Sequence, residues 1–230
     1  MRGVGSGPAL RALLRAGHQV QAVVMPGPPG LRTLPPTVAQ RAILPMVQPE
    51  GAAEFVDEIA RATAIPVLLI GSLRSPDVIA AIAAFEPAVI VASCFPWRVP
   101  AAVLRLPQWG CLNVHPSLLP RWRGPDPVAW TLRSKETMTG VTVHLMDEGF
   151  DSGPIVLQKN VAVPPGTQIA QLERELSDRG ADLLIQAIAG LTSGRIVPAP
   201  QDHRRATFAP YVVDDRETAP QWQICDFKSP

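Results

Sequence analysis

Asn113 and His115 stand two residues apart in the run Cys111-Leu-Asn-Val-His115, which Pro116 closes. Residues two apart in a strand point to the same side. An amide and an imidazole are therefore neighbours at the carboxyl end of a short predicted strand. That pair suits acyl transfer to an amine. As the amine attacks, the acyl oxygen gains negative charge, and an amide N–H aimed at it contributes about 3 kcal/mol in the transition state. The imidazole can donate too, or relay the proton that the amine loses. A carboxylate able to orient it lies at Asp151, in the turn Met146-Asp-Glu-Gly-Phe-Asp-Ser-Gly153. Taken singly, each feature also has a structural explanation: a polar strand end, and an aspartate in a glycine-flanked turn.

The elements around these residues predict how they are held. Residues 8–16 read as a helix with Leu10, Leu13 and Leu14 on one face and Gly17 as its stop. Strands are predicted over 20–25, 66–71 and 88–92, and helices over 52–63, over 75–85 with Ser75 as N-cap, and over 100–106. After residue 115 come a helix over 126–134 and two strands, 140–146 and 154–163, able to pair as an antiparallel ribbon. Thr167 is expected to cap a long helix over 168–191 with a break at Gly180, and the segment after Arg195 to wrap the surface. Apolar strands alternating with helices predict an α/β, doubly wound, mostly parallel sheet. Ligands in such sheets bind beyond the carboxyl ends of the strands, where Asn113 and His115 fall.

The totals narrow the function classes. With 21 basic and 20 acidic residues the net charge is +1, so no large field gathers nucleic acid. Hydrophobic residues make up 47% of the 230, enough for a buried core. No apolar run reaches the ~18 residues that span a bilayer. No signal-peptide order opens the chain, so a cytoplasmic location is expected. Cys94, Cys111 and Cys225 are too scattered for a zinc site and are expected to be ordinary thiols.

The runs Asn113-Val-His-Pro-Ser-Leu-Leu-Pro120, Arg123-Gly124, Thr139-Gly-Val-Thr-Val-His-Leu-Met-Asp147 and Asp151-Ser-Gly153 resemble the 10-formyltetrahydrofolate-dependent formyltransferase family. The resemblance covers residues 8–210 and is strongest over 107–153; residues 117–124 and 206–210 look most like its methionyl-tRNA branch. It implies a Rossmann-like fold in which Asn113, His115 and Asp151 match the catalytic trio. Phe95, Trp97 and Val99, with Met146, Asp147 and Gly149, match the walls of the folate pocket. Ser117, Leu118 and Pro120 match the loop beside the reaction centre. The implied donor is 10-formyltetrahydrofolate, the acceptor an amine on a charged initiator tRNA or an amino sugar, and no metal is expected.

Arg121 and Arg123 are candidates to hold an anionic substrate, or else a solvated pair. Trp97 either lines the pocket or packs. His144 is expected to take a structural or supporting role on a side away from the core, and His203, Arg204 and Arg205 to be solvated. Two departures from the family pattern stand out. The opening Met1-Arg-Gly-Val-Gly-Ser-Gly7 looks like the family's first glycine turn with its strand almost gone, so a truncated first strand is expected. Residues 1–197 are expected to form the catalytic domain, and 198–230 a tail without the β-barrel domain of the methionyl-tRNA branch. A hydrolase releasing formate from the same donor, and a non-catalytic folate-binding module, are the competing readings.

Overall fold

Short apolar strands pair into two sheets because each must bury its faces against helices. The computed structural model describes residues 6–27 and 55–212. The elements run α1 (Ser6–Arg15), β1 (Val23–Pro26), α2 (Val56–Ala62), β2 (Val67–Ile70), α3 (Pro76–Ala83), β3 (Ile90–Ser93) and α4 (Ala101–Leu104). They continue with β4 (Cys111–His115), α5 (Pro127–Arg133), β5 (Met138–Leu145), β6 (Ile155–Ala162), α6 (Ile169–Thr192) and a 3-10 turn at His203–Arg205. β1 and β2 pair in parallel; a second sheet runs β3-β4-β5-β6, parallel between β3 and β4 and antiparallel beyond. The α/β architecture and the ribbon of β5 and β6 are as expected. Of the opening residues 1–7, expected to hold a truncated first strand, residues 1–5 lie outside the described residues, as do residues 28–54. Among the described residues no helix is long and apolar enough to cross a membrane.

Strand alternation sorts the core into two sides. Leu112 and Val114 of β4, with Val141 and Val143 of β5, pack under Ala9 and Leu13 of α1 and Leu183, Leu184 and Ile188 of α6. Residues in the opposite phase, Cys111, Asn113 and His115, face away from that layer. On their side Ile90, Leu68 and Ile70 pack with Val78 and Ile82 of α3 and Val103 of α4. Burial pushes the Cys111 thiol up to about 12, so it stays protonated and is a core residue rather than a nucleophile. Cys94 is exposed, and Cys225 lies outside the described residues.

The expected break in the long helix does not occur: α6 runs unbroken from Ile169 to Thr192. Gly180 has a packing role instead. A Cβ there would stand 2.6 Å from a methyl of Val114 and 3.1 Å from one of Val141, so its bare backbone lets α6 lie directly on β4 and β5. Helix propensity favours alanine over glycine by about 1 kcal/mol, yet overpacking costs about 1–3 kcal/mol. Gly180→Ala is therefore expected to lower stability, read as a reduced denaturant midpoint with an unchanged m-value. The caps also differ from expectation. Ser75 occupies the N-cap of α3 without a side-chain cap bond. Gln168 is the N-cap of α6, while the Thr167 hydroxyl donates to Pro164 O at 2.7 Å.

Candidate active site

β4 delivers Asn113 and His115 together, and β5 adds a third polar residue beside them. The antiparallel register sets Asn113 opposite His144 and His115 opposite Thr142. Cross-strand partners share a face, so His144 enters the same site. It is 2% exposed, and its Nδ1–H donates to Leu145 O at 2.8 Å, because a carbonyl can only accept. In the neutral ring Nε2 is then bare, and Asn113 Nδ2 donates to it at 3.2 Å. Alternation along β5 holds the signal for this residue: Val141 and Val143 point into the core, so Thr142 and His144 point to the polar side. The expectation of a supporting role away from the core layer fits this placement.

Asp151 arrives from the turn between β5 and β6 and closes the group. Its Oδ1 accepts from Asn113 Nδ2 at 3.1 Å and its Oδ2 from the Gly124 backbone N–H at 2.8 Å. Oδ2 also lies 3.6 Å from His115 Nδ1, and Oδ1 3.5 Å from His144 Nε2. Asp151 holds this position with a left-handed backbone, φ +48°, a conformation that costs an L-residue free energy and must be imposed by its surroundings. The structure thus brings the three expected catalytic residues to one point.

The electrostatics follow from burial and proximity. Burial pulls the His115 ring below its ordinary value; Asp151 and the bond to Trp122 pull the other way, with His144 and Arg123 adding to the lowering. Burial alone would raise the Asp151 carboxyl. The His115 and His144 rings, when protonated, and the Gly124 N–H outweigh it, holding the carboxyl below the usual carboxylate range. His115 Nε2–H donates to Trp122 O at 2.8 Å, which fixes the neutral tautomer and leaves Nδ1 bare towards Asp151. A proton reaching Nδ1 would lie between an imidazole and a carboxylate already in place. Both N–H bonds of Asn113 are engaged, with His144 and with Asp151. Donating to a developing oxyanion therefore means exchanging one of them.

Residues 116–126 form the frame behind this group. Ser117 is fully buried and its hydroxyl donates to Arg121 O at 2.7 Å, so this side chain shapes the loop rather than facing a ligand. Leu118 packs over Gly140, and Leu119 N and Ser117 O both bond the Thr142 hydroxyl, at 3.1 and 2.6 Å. Pro120 O accepts from Thr207 N at 3.2 Å. Arg121 pairs with Glu136 and lies 5.7 Å from the Trp122 ring centroid, at the surface. Arg123 is not available to a substrate: it is 5% exposed, and its guanidinium donates to Gln201 Oε1 and His203 Nδ1. His203, expected to be solvated, thus has a buried partner, whereas Arg204 pairs with Asp202 at the exposed surface.

The expected folate-pocket residues lie on the 95–100 loop and on the turn that carries Asp151. Phe95, Trp97, Val99 and Met146 belong to one apolar cluster, with Phe95 and Trp97 edge to face at 5.7 Å. Trp97 therefore packs within the wall. Asp147 accepts from Gly149 N at 3.0 Å and Ser152 Oγ at 2.7 Å, which makes it a turn former. Arg98 donates to Glu148 O and lies over the Phe150 ring at 4.7 Å, tying the 95–100 loop to the 146–151 turn.

The chain has relatives among known proteins. Residues 49–188 match the family described as formyl transferase. The methionyl-tRNA formyltransferase of Chloroflexus aurantiacus is 41% identical over 206 residues, covering 86% of this chain and 60% of that protein. The chain thus spans about 60% of the length of that relative. Among solved structures, the phosphoribosylglycinamide formyltransferase from Bacillus halodurans superposes with a TM-score of 0.64 at 22% identity, over 84% of this chain and 92% of that one. HypX from Aquifex aeolicus, solved in complex with tetrahydrofolic acid, gives 0.54 at 21% identity, over 65% of this chain and 27% of that one. These two likenesses bear on the fold, which is that of known formyltransferases. With the family match spanning more than half of its length, the chain belongs to the formyl transferase family.

Proposed function

We propose that this chain transfers the formyl group of 10-formyltetrahydrofolate to the amino group of methionyl-tRNA. The observation that carries the reading is the convergence of Asn113, His115 and Asp151 on one point. The acceptor is inferred from the relative at 41% identity, and the folate from family membership and the tetrahydrofolate held by HypX. The residues fit such a donor. Phe95, Trp97, Val99 and Met146 form one apolar cluster, and Arg98 ties their loop to the 146–151 turn that carries Asp151. A methionyl-tRNA acceptor supports a cytoplasmic location and a role in protein biosynthesis. Residues 1–197 are read as the catalytic unit.

The donor supplies an N-formyl group whose carbon is attacked by the amine; the C–N bond to the folate breaks and a formamide forms. Asn113 turns one amide N–H from His144 or Asp151 to the formyl oxygen as charge builds there. His115 Nδ1 accepts the proton lost by the amine, and Asp151 stabilises the imidazolium so formed. That proton then passes to the departing folate nitrogen. His144 holds Asn113 in place through its bare Nε2.

Because His115 must start neutral, the acidic limb of kcat/KM is expected below the ordinary imidazole value of about 6.5. Asp151 raises the His115 value, so the residual activity of an Asp151 variant should show this limb at still lower pH.

Purified chain with 10-formyltetrahydrofolate should be offered methionyl-tRNA, nucleotide-linked amino sugars, or no acceptor. Formyl-methionyl-tRNA as the main product supports the reading. Transfer only to an amino sugar, or formate release independent of acceptor, would replace it with the corresponding alternative.

A further inference from the structure

The segment after α6 reaches the site through one buried side chain. Residues 199–212 do not simply cover the surface: Ala199 exchanges two backbone bonds of 2.8 Å with Ile155, and residues 207–209 bond residues 120–126. Between these anchors Gln201 turns inward and is 6% exposed. Its Oε1 accepts from Arg123 Nε at 3.1 Å and Nη2 at 2.6 Å. Its Nε2 donates to Asp151 O at 2.9 Å and Gly153 O at 2.7 Å. The amide orientation is fixed, because donors lie on one side and carbonyls on the other.

We propose that Gln201 is a positioning residue for formyl transfer, holding the strained Asp151 backbone so that its carboxylate meets His115 and Asn113. The geometry supports a role beyond stapling. Asp151 has a left-handed backbone, and one of the two bonds from Nε2 goes to its own carbonyl. The other goes to Gly153, so the turn is gripped on both sides of Ser152. Arg123, the anchor of Gln201, lies next to Gly124, whose N–H donates to Oδ2 at the side-chain end of Asp151. Both ends of Asp151 are thus tied to one short stretch of chain. The charged and titratable groups acting on His115 are Asp151, His144 and Arg123. Moving Asp151 changes the one attractive partner among them.

The kinetic part of this inference rests on the formyl-transfer reading; the imidazole titration does not. Two variants separate positioning from stapling. Gln201→Met removes all four bonds at similar volume. Gln201→Glu keeps an acceptor for Arg123 but turns oxygen towards the Asp151 and Gly153 carbonyls. Both are expected to lower kcat about 10- to 100-fold, the scale of a misplaced catalytic group, with KM for folate little changed. In Gln201→Met, which adds no charge, the His115 ring followed by NMR in the full chain should titrate at lower pH than in wild type. Arg204→Ala, at the exposed surface of the same segment, should match wild type in both measurements. If folded Gln201→Met keeps wild-type kcat and an unmoved His115 titration, Gln201 is a staple and the proposal is overturned. A chain that transfers formyl to no acceptor would remove the proposed function, yet the His115 shift would still decide whether Gln201 positions Asp151.

Discussion

Asp151→Asn is expected to lower kcat for formyl transfer about 10³-fold, within the range for losing a positioned acid–base partner. The substitution keeps the volume of the side chain, so the loss is electronic. Asp151 accepts on both oxygens, from Asn113 Nδ2 and from Gly124 N–H. An amide must offer an N–H to one of these donors, leaving two donors face to face. It also removes the charge that stabilises His115 once Nδ1 is protonated. Stability should respond in a defined direction. The folded carboxyl lies below its unfolded value of about 4, so its contribution is complete above that value and fades as pH falls through the folded one. Acid unfolding of wild type should carry this term, and Asp151→Asn should lack it. Steady-state kinetics and acid titration by circular dichroism check the two parts.

Asn113→Ala is expected to lower kcat about 10²- to 10³-fold, the usual loss of one oxyanion donor. Of the trio, the amide offers two N–H bonds without changing its own charge, whereas the one N–H of neutral His115 is held by Trp122 O. In the free protein those bonds point at His144 Nε2 and Asp151 Oδ1. Truncation leaves His144 Nε2 without this donor, which costs some stability besides the loss of rate. The KM for folate should move little, because the apolar wall of Phe95, Trp97, Val99 and Met146 is untouched. A fall in kcat/KM carried entirely by KM would mean that Asn113 binds the ground state instead.

Local pattern made part of this site legible. A five-residue run closed by Pro116 marked β4, and alternation placed Asn113 and His115 on one face. The 147–153 turn was recognisable from its Asp and Gly residues, and its flanking strands pair as expected. Asp151 reaching the same point was implied by family resemblance, because nothing in spacing ties residue 151 to residue 113. His144 was half legible: its phase on β5 was plain, but the register that sets it opposite Asn113 is a tertiary fact. Gln201 and the true partners of Arg123 were not legible. Seventy-eight residues separate that pair, and a polar segment rich in proline reads as solvated until its contacts are seen. Gly180 failed for the opposite reason. Propensity argued for a break, but the close approach of α6 to Val114 and Val141 overrides it.

Single-turnover formyl transfer by Asn113→Ala, Asp151→Asn and their double variant decides whether Asn113, His115 and Asp151 act as one device. Residues that work as a unit are strongly non-additive, so the double variant is predicted to be only slightly slower than the slower single variant. Losses that multiply would show two independent contributions and contradict the account.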